Sequence, residues 1–104
     1  MRQGEIWVNN NVAGTLKEDE EGYHFTYSQD YLESENPIAV SLTLPLRNKT
    51  YHSDYLFPFF DGLIPEGWLL DIAHKNWKLN PRDRMGLLLA TCKDCIGNIS
   101  VLEK

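Results

Sequence analysis

Apolar and polar positions change rhythm about halfway along the chain. In the first half they alternate with the period of two that puts successive side chains on opposite faces of a strand. Ile6-Trp7-Val8 reads as a short strand and Asn9-Asn10-Asn11 as a turn, because Asn tolerates left-handed backbone angles. Val12 to Leu16 returns as a second strand. Glu18-Asp19-Glu20-Glu21-Gly22 reads as a charged loop, with the glycine making the reversal. Tyr23, Phe25 and Tyr27 then alternate with His24 and Thr26, the pattern of a half-buried strand. Ile38 to Leu42, opened by Pro37, predicts a further strand; Leu44-Pro45-Leu46 leaves it and Asn48-Lys49-Thr50 turns.

The second half follows helical spacing. Asp54 is positioned to cap a short helix through Leu56, Phe59 and Phe60, ending near Gly62, with Pro58 confined to its first turn. Pro65 suits the first turn of a second helix, where Glu66 meets the positive end of the helix dipole. Trp68 with Ile72, and Leu69 with Ala73 and Trp77, give that helix an apolar stripe. The third helix has the best start signal: Asn80 as cap, Pro81 at the first position, Asp83 in the first turn. Met85, Leu88 and Leu89 form its buried face. Ile99 to Leu102 alternates again as a closing strand. The expected architecture is α+β: a mainly antiparallel sheet or partial barrel in the N-terminal half, about three helices in the C-terminal half, and one closing strand. Residues 1–104 form one domain, without repeats or linkers, and the helices cover one face of the sheet.

Composition supports a packed globule. The chain has 104 residues, 42% of them hydrophobic, with three Trp, five Tyr and four Phe. A chain of this size buries about two-thirds of its unfolded surface, enough for a core without metal or disulfide help. The net charge of −5 and the absence of any Lys/Arg run argue against direct nucleic-acid binding, which draws on a basic patch to displace counterions from phosphates. The densest basic stretch, Arg82 and Arg84, is split by Asp83. No stretch approaches the ~20 apolar residues of a membrane span, and the N-terminus lacks a signal-peptide core, so the expected location is the cytoplasm. The sequons Asn48-Lys49-Thr50 and Asn98-Ile99-Ser100 carry no meaning there.

The search for catalytic chemistry assembles no reaction. Cys92 and Cys95 make a single C-x-x-C, short of the four ligands of a zinc site and outside the βαβ setting of a redox dithiol. The simplest reading is two small semi-buried side chains at a helix end. His24, His52 and His74 fall on a strand, a loop and a helix, with no ligand spacing among them. Ser41, Ser53 and Ser100 have no Gly-x-Ser-x-Gly setting, and no glycine loop cradles phosphate. The acidic run at residues 18–21 lacks the spacing of a calcium loop. Glu66 has no placed partner for acid catalysis and is explained as a helix N-terminal carboxylate. The expectation is a protein that is not an enzyme, with no catalytic, cofactor-binding or metal-binding residues and no cofactor.

The segment that stands out is Tyr55-Leu-Phe-Pro-Phe-Phe-Asp-Gly-Leu-Ile-Pro-Glu-Gly-Trp68. Aromatics set among prolines and glycines make rigid, sharply turned surfaces that lose little entropy on docking. Phe59, Phe60, Leu63 and Ile64 read equally as core. Trp68, directly after Pro-Glu-Gly at a helix start, is placed to act as a surface anchor.

Phe59-Phe60-Asp61-Gly62-Leu63-Ile64-Pro65-Glu66-Gly67 resembles the F-F-x-x-L-L-P-E-G signature of the N-terminal subdomain of HipA-type toxin kinases, with Ile64 for the usual second Leu. Gly14-Thr15-Leu16 with Tyr23 to Tyr27 resembles its early strands, Ile38 to Leu46 its I-S-x-x-L-P-L strand, and Asp94-Cys95-Ile96-Gly97-Asn98 its D-C-I/V-G-A turn. The likeness runs from about Gly4 to Leu102. The sequence lacks the phosphate loop, catalytic Asp and metal ligands of the kinase body and stops at Lys104, so it is similar to the HipS-like small subunits of split HipA systems. That resemblance implies an antitoxin that binds and neutralises a HipT-like Ser/Thr kinase toxin, and a HipB-like helix-turn-helix protein that brings DNA to a ternary complex. It implies kinase binding through Trp68, Glu66, Gly67, Pro65 and Phe59. The competing readings are a non-inhibitory scaffold subunit of a split kinase and a co-regulator acting through the HipB-like partner.

Overall fold

A computed structural model describes residues 2–64, 83–91 and 99–103. Among these residues five strands form one antiparallel sheet in the order β4-β3-β2-β1-β5. They are β1 (Arg2–Val8), β2 (Asn11–Asp19), β3 (Gly22–Tyr27), β4 (Tyr51–Ser53) and β5 (Ile99–Glu103). Among the described residues three short helices accompany them: α1 (Gln29–Leu32), α2 (Pro58–Asp61) and α3 (Arg84–Thr91). The fold is α+β and mostly sheet, as the alternation predicts, but the sheet is not a closed barrel.

The hairpins follow from their turn residues. Asn9 and Asn10 both have positive φ, 50° and 68°, which is what a two-residue turn between right-twisted strands demands. Asn11 already belongs to β2, opposite Val8. Ile6 pairs with Gly14 but Trp7 with Val12. Ala13 is therefore the extra residue of a β-bulge, and both Ala13 and Gly14 face the core. Gly14 sits there because a Cβ would stand 2.4 Å from the Thr26 carbonyl oxygen. The acidic run is mostly strand: Glu18 and Asp19 lie on β2, Asp19 pairs with Gly22, and only Glu20 and Glu21 turn. Gly22, at φ 123°, makes the reversal where a side chain would strike the Ser53 carbonyl.

The predicted strand at Ile38–Leu42 does not form. These residues make an irregular loop with a single bridge between Ser41 and Leu44. Their backbone groups are satisfied by two tyrosines instead of a ladder. The Tyr27 hydroxyl accepts from the Val40 N–H at 3.0 Å and donates to the Leu44 carbonyl. The Tyr31 hydroxyl accepts from the Ile38 N–H at 3.0 Å and donates to the Ile38 carbonyl at 2.6 Å. The two rings are parallel, 6.3 Å apart. Val40 and Leu44 thereby turn inward while Ile38 and Leu42 point out. Tyr31 rides on α1, a single turn in the N-terminal half that alternation alone does not announce.

The core lies on the sheet face carrying Ile6, Val8, Leu16, Phe25 and Val101, covered by Phe60 of α2 and by Met85, Leu87, Leu88 and Leu89 of α3. The predicted buried residues of the third helix, Met85, Leu88 and Leu89, are buried, and Leu87 joins them. Asp83 caps this helix: its carboxylate accepts the Gly86 N–H and its carbonyl the Leu87 N–H. The predicted cap at Asn80 and Pro81, and the whole second helix, lie outside the described residues. β5 closes the sheet beside β1, pairing Val8 with Ile99 and Gly4 with Glu103.

Candidate docking surface

The aromatic signature begins on α2. Its N-cap position is Phe57, with Pro58 next, and no side chain caps it. The expected cap, Asp54, is three residues too early and stands exposed in a bend. Proline sets the start, because its ring fixes φ near the helical value and its missing N–H is one the first turn does not need. Gly62 ends the helix where expected, its N–H returning to the Pro58 carbonyl at 2.9 Å.

Phe60 is fully buried and is the hub of the cluster. Its ring lies 5.4 Å from Phe25, 6.1 Å from Phe57 and 5.3 Å from Phe59, the last two edge-on, as aromatic quadrupoles prefer. Leu63 and Ile64 are also core, so this part of the signature holds the fold together. Phe59 is only half-buried: one side packs on Phe60 and the other faces outward. Pro65, Glu66, Gly67 and Trp68 lie outside the described residues, as do His74, Cys92 and Cys95. Of the five residues assigned to kinase binding, the structure therefore places Phe59 alone, at the surface end of the cluster.

Ion pairs tie the helices to one another and to the sheet. The Arg84 guanidinium donates to Asp61, joining α3 to α2. Arg2 donates through two nitrogens to both oxygens of Asp83, at 2.6 and 2.7 Å, and through Nε to Glu18 at 2.7 Å. The guanidinium holds the Asp83 carboxyl below the usual carboxylate range, aided by the Gly86 N–H. The sequence gives no signal for Arg2, whose partners are distant in the chain.

Three large apolar residues are exposed among the described ones: Leu42 at 99%, Tyr55 at 81% and Ile38 at 55%. Leu42 sits at the tip of the turn braced by Tyr27, where the Leu44 N–H returns to the Ser41 carbonyl. Alternation hid this, because a strand reading sends Leu42 inward with Val40. Among the described residues no group of three or more His, Cys, Asp or Glu is placed to hold a metal ion. Among them, too, no helix is long and apolar enough to cross a membrane.

An open antiparallel sheet capped by an aromatic helix cluster, with Leu42, Tyr55 and Ile38 exposed, defines a small α+β domain. The chain belongs to the HipA N-terminal domain family, whose family model matches residues 4–102. It is similar to a solved structure of the N-terminal domain of HipA toxin, with a TM-score of 0.77 and 30% identity over 100% of this chain and 93% of that one. An uncharacterized protein of Haemophilus influenzae is 33% identical over 100% of this chain and 94% of its own length. A Sinorhizobium fredii protein titled "Putative kinase Y4mE" is 28% identical over 95% of this chain, which spans only 24% of that protein. The family model is that of the N-terminal domain and not of a kinase catalytic domain.

Proposed function

We propose that this protein is an antitoxin of the cytoplasm that binds a HipT-like Ser/Thr protein kinase and holds it inactive. The observation that carries the reading is a contrast between relatives. The same domain fills nearly all of the Haemophilus influenzae protein but about a quarter of the Sinorhizobium fredii one. It thus occurs both as a chain of its own and as part of a much longer one. A domain separated from the body it packs on meets it as a bimolecular partner, and the lost effective concentration is offset by a well-formed interface. The exposed Leu42, Ile38 and Tyr55, the outward side of Phe59, and the sequence position of Trp68 supply apolar anchors for one. A HipB-like helix-turn-helix protein would add DNA binding to the complex, for which this acidic chain is itself unsuited.

The test is co-expression with the HipT-like kinase, followed by co-purification and an autophosphorylation assay. A stable complex with suppressed phosphorylation and rescued growth is the expected result. A stable complex with full kinase activity makes the protein a scaffold subunit, and the absence of any complex removes the proposal.

A further inference from the structure

On the sheet face opposite the core, His24 of β3 stands directly across from His52 of β4. The rings lie 4.9 Å apart, tilted by 43°. Each ring is held by an acceptor on its Nε2. For His24 the acceptor is the Asp19 carboxylate oxygen at 3.0 Å. For His52 it is the backbone carbonyl of Glu21 at 2.9 Å. A carbonyl oxygen only accepts, so His52 must donate through Nε2. A carboxylate also only accepts, and the same Asp19 oxygen already takes the Glu21 N–H. His24 therefore donates through Nε2 as well. In both neutral rings the proton is on Nε2 and the lone pair is on Nδ1, and neither Nδ1 has a hydrogen-bond partner among the described residues.

This is the outer-shell arrangement of metal-bound imidazoles, in which one nitrogen donates to a carboxylate or a backbone carbonyl while the other faces the ion. We propose that His24 and His52 bind one divalent transition-metal ion of the nickel–copper–zinc group through their Nδ1 atoms. Imidazole suits these ions. Both rings are open to solvent, His52 on the surface and His24 with 20% of its side chain exposed. The charges facing the pair favour a cation. The Asp19 carboxylate touches His24, Glu20 and Glu21 form the acidic turn whose carbonyl holds His52, and Glu18 is paired with Arg2. Lys17 opposes them, its ammonium 3.9 Å from Asp19. Two protein ligands leave the remaining coordination positions to water or to a side chain of a bound partner.

The test uses the full chain and zinc ion alone. Long-range proton–nitrogen NMR of the imidazoles reads the tautomers directly. Both rings should show Nε2–H without zinc, and zinc should shift the Nδ1 resonances of His24 and His52 but not of His74. Calorimetric titration should give one site on a Cys92→Ser/Cys95→Ser background, where no thiol competes. His24→Ala and His52→Ala should each weaken binding at least about tenfold, and Asp19→Asn by about tenfold through loss of its hold on the ring. Should the thiol variants misfold, the NMR titration of the wild-type chain decides alone. Nδ1–H tautomers, unchanged zinc affinity in His52→Ala, or no imidazole shift up to millimolar zinc would each overturn the proposal.

Discussion

Arg2 and Asp83 are 81 positions apart and joined by two parallel hydrogen bonds of 2.6 and 2.7 Å. The pair fixes the start of α3 against β1, and Asp83 also caps that helix. Its carboxyl titrates below the usual range because the guanidinium favours the charged form. The unfolded chain therefore takes up this proton first as pH falls. The stabilisation is complete at neutral pH and is lost below about pH 4, as the folded carboxyl protonates in turn. Asp83→Asn should lower stability by about 1 kcal/mol near neutrality, since a half-exposed bidentate pair is worth more than a simple surface one. Thermal melts of both proteins at about pH 7 and pH 3 check this: the gap should narrow at the acid end.

Tyr27→Phe removes one oxygen and leaves two backbone groups, the Val40 N–H and the Leu44 carbonyl, without a partner in a buried place. An unsatisfied buried group costs about 1–3 kcal/mol, and a domain of this size loses about 4–8 °C in melting temperature per kcal/mol. The loss should be local as well as global. Amide hydrogen exchange at Val40 should speed up more than at Leu16, whose strand ladder is untouched. Equal acceleration at both would mean the hydroxyl acts only on global stability.

Leu42→Ser should do almost nothing to the fold. A side chain 99% exposed has no core contacts to lose, and such surface changes fall within about 0.5 kcal/mol. A melting temperature within about 4 °C of wild type is expected. A large drop would show that the turn packs on something in solution. If the kinase contact includes this tip, the same variant should co-purify with the kinase less well while remaining folded.

Much of the fold was legible because local chemistry decides it. Asn9 and Asn10 fix one hairpin and Gly22 the other, with no help from distant residues. Phe25 and Tyr27 alternate because one sheet face is buried, and Met85, Leu88 and Leu89 recur at helical spacing for the same reason. The misreadings arise where a distant residue intervenes. Ile38 to Leu42 has the composition of a strand, but hydroxyls of Tyr27 and Tyr31 take its backbone bonds. Asp54 has the chemistry of a cap, but Pro58 starts the helix later. Arg2 finds partners that no local pattern announces. In the signature segment, the aromatic cluster was legible but its division was not: Phe60, Leu63 and Ile64 are core, while Phe59 keeps one side outward.

That division makes the kinase-binding assignment testable with a matched pair of variants. Phe60 is fully buried among three aromatic rings, so Phe60→Ala should cost about 3–5 kcal/mol and abolish neutralisation by unfolding the domain. Trp68 follows Pro-Glu-Gly in the sequence and is assigned to the partner. Trp68→Ala should leave the melting temperature within a few degrees of wild type. It should weaken the complex by about 2 kcal/mol or more, roughly thirtyfold in Kd, as truncation of a central aromatic anchor does. The readouts are thermal melting, kinase titration by calorimetry and growth rescue in cells carrying the kinase. A folded Trp68→Ala protein that protects as well as wild type would move the contact elsewhere, to Phe59 or the Leu42 turn. An unfolded one would show that Trp68 serves the fold and not the contact.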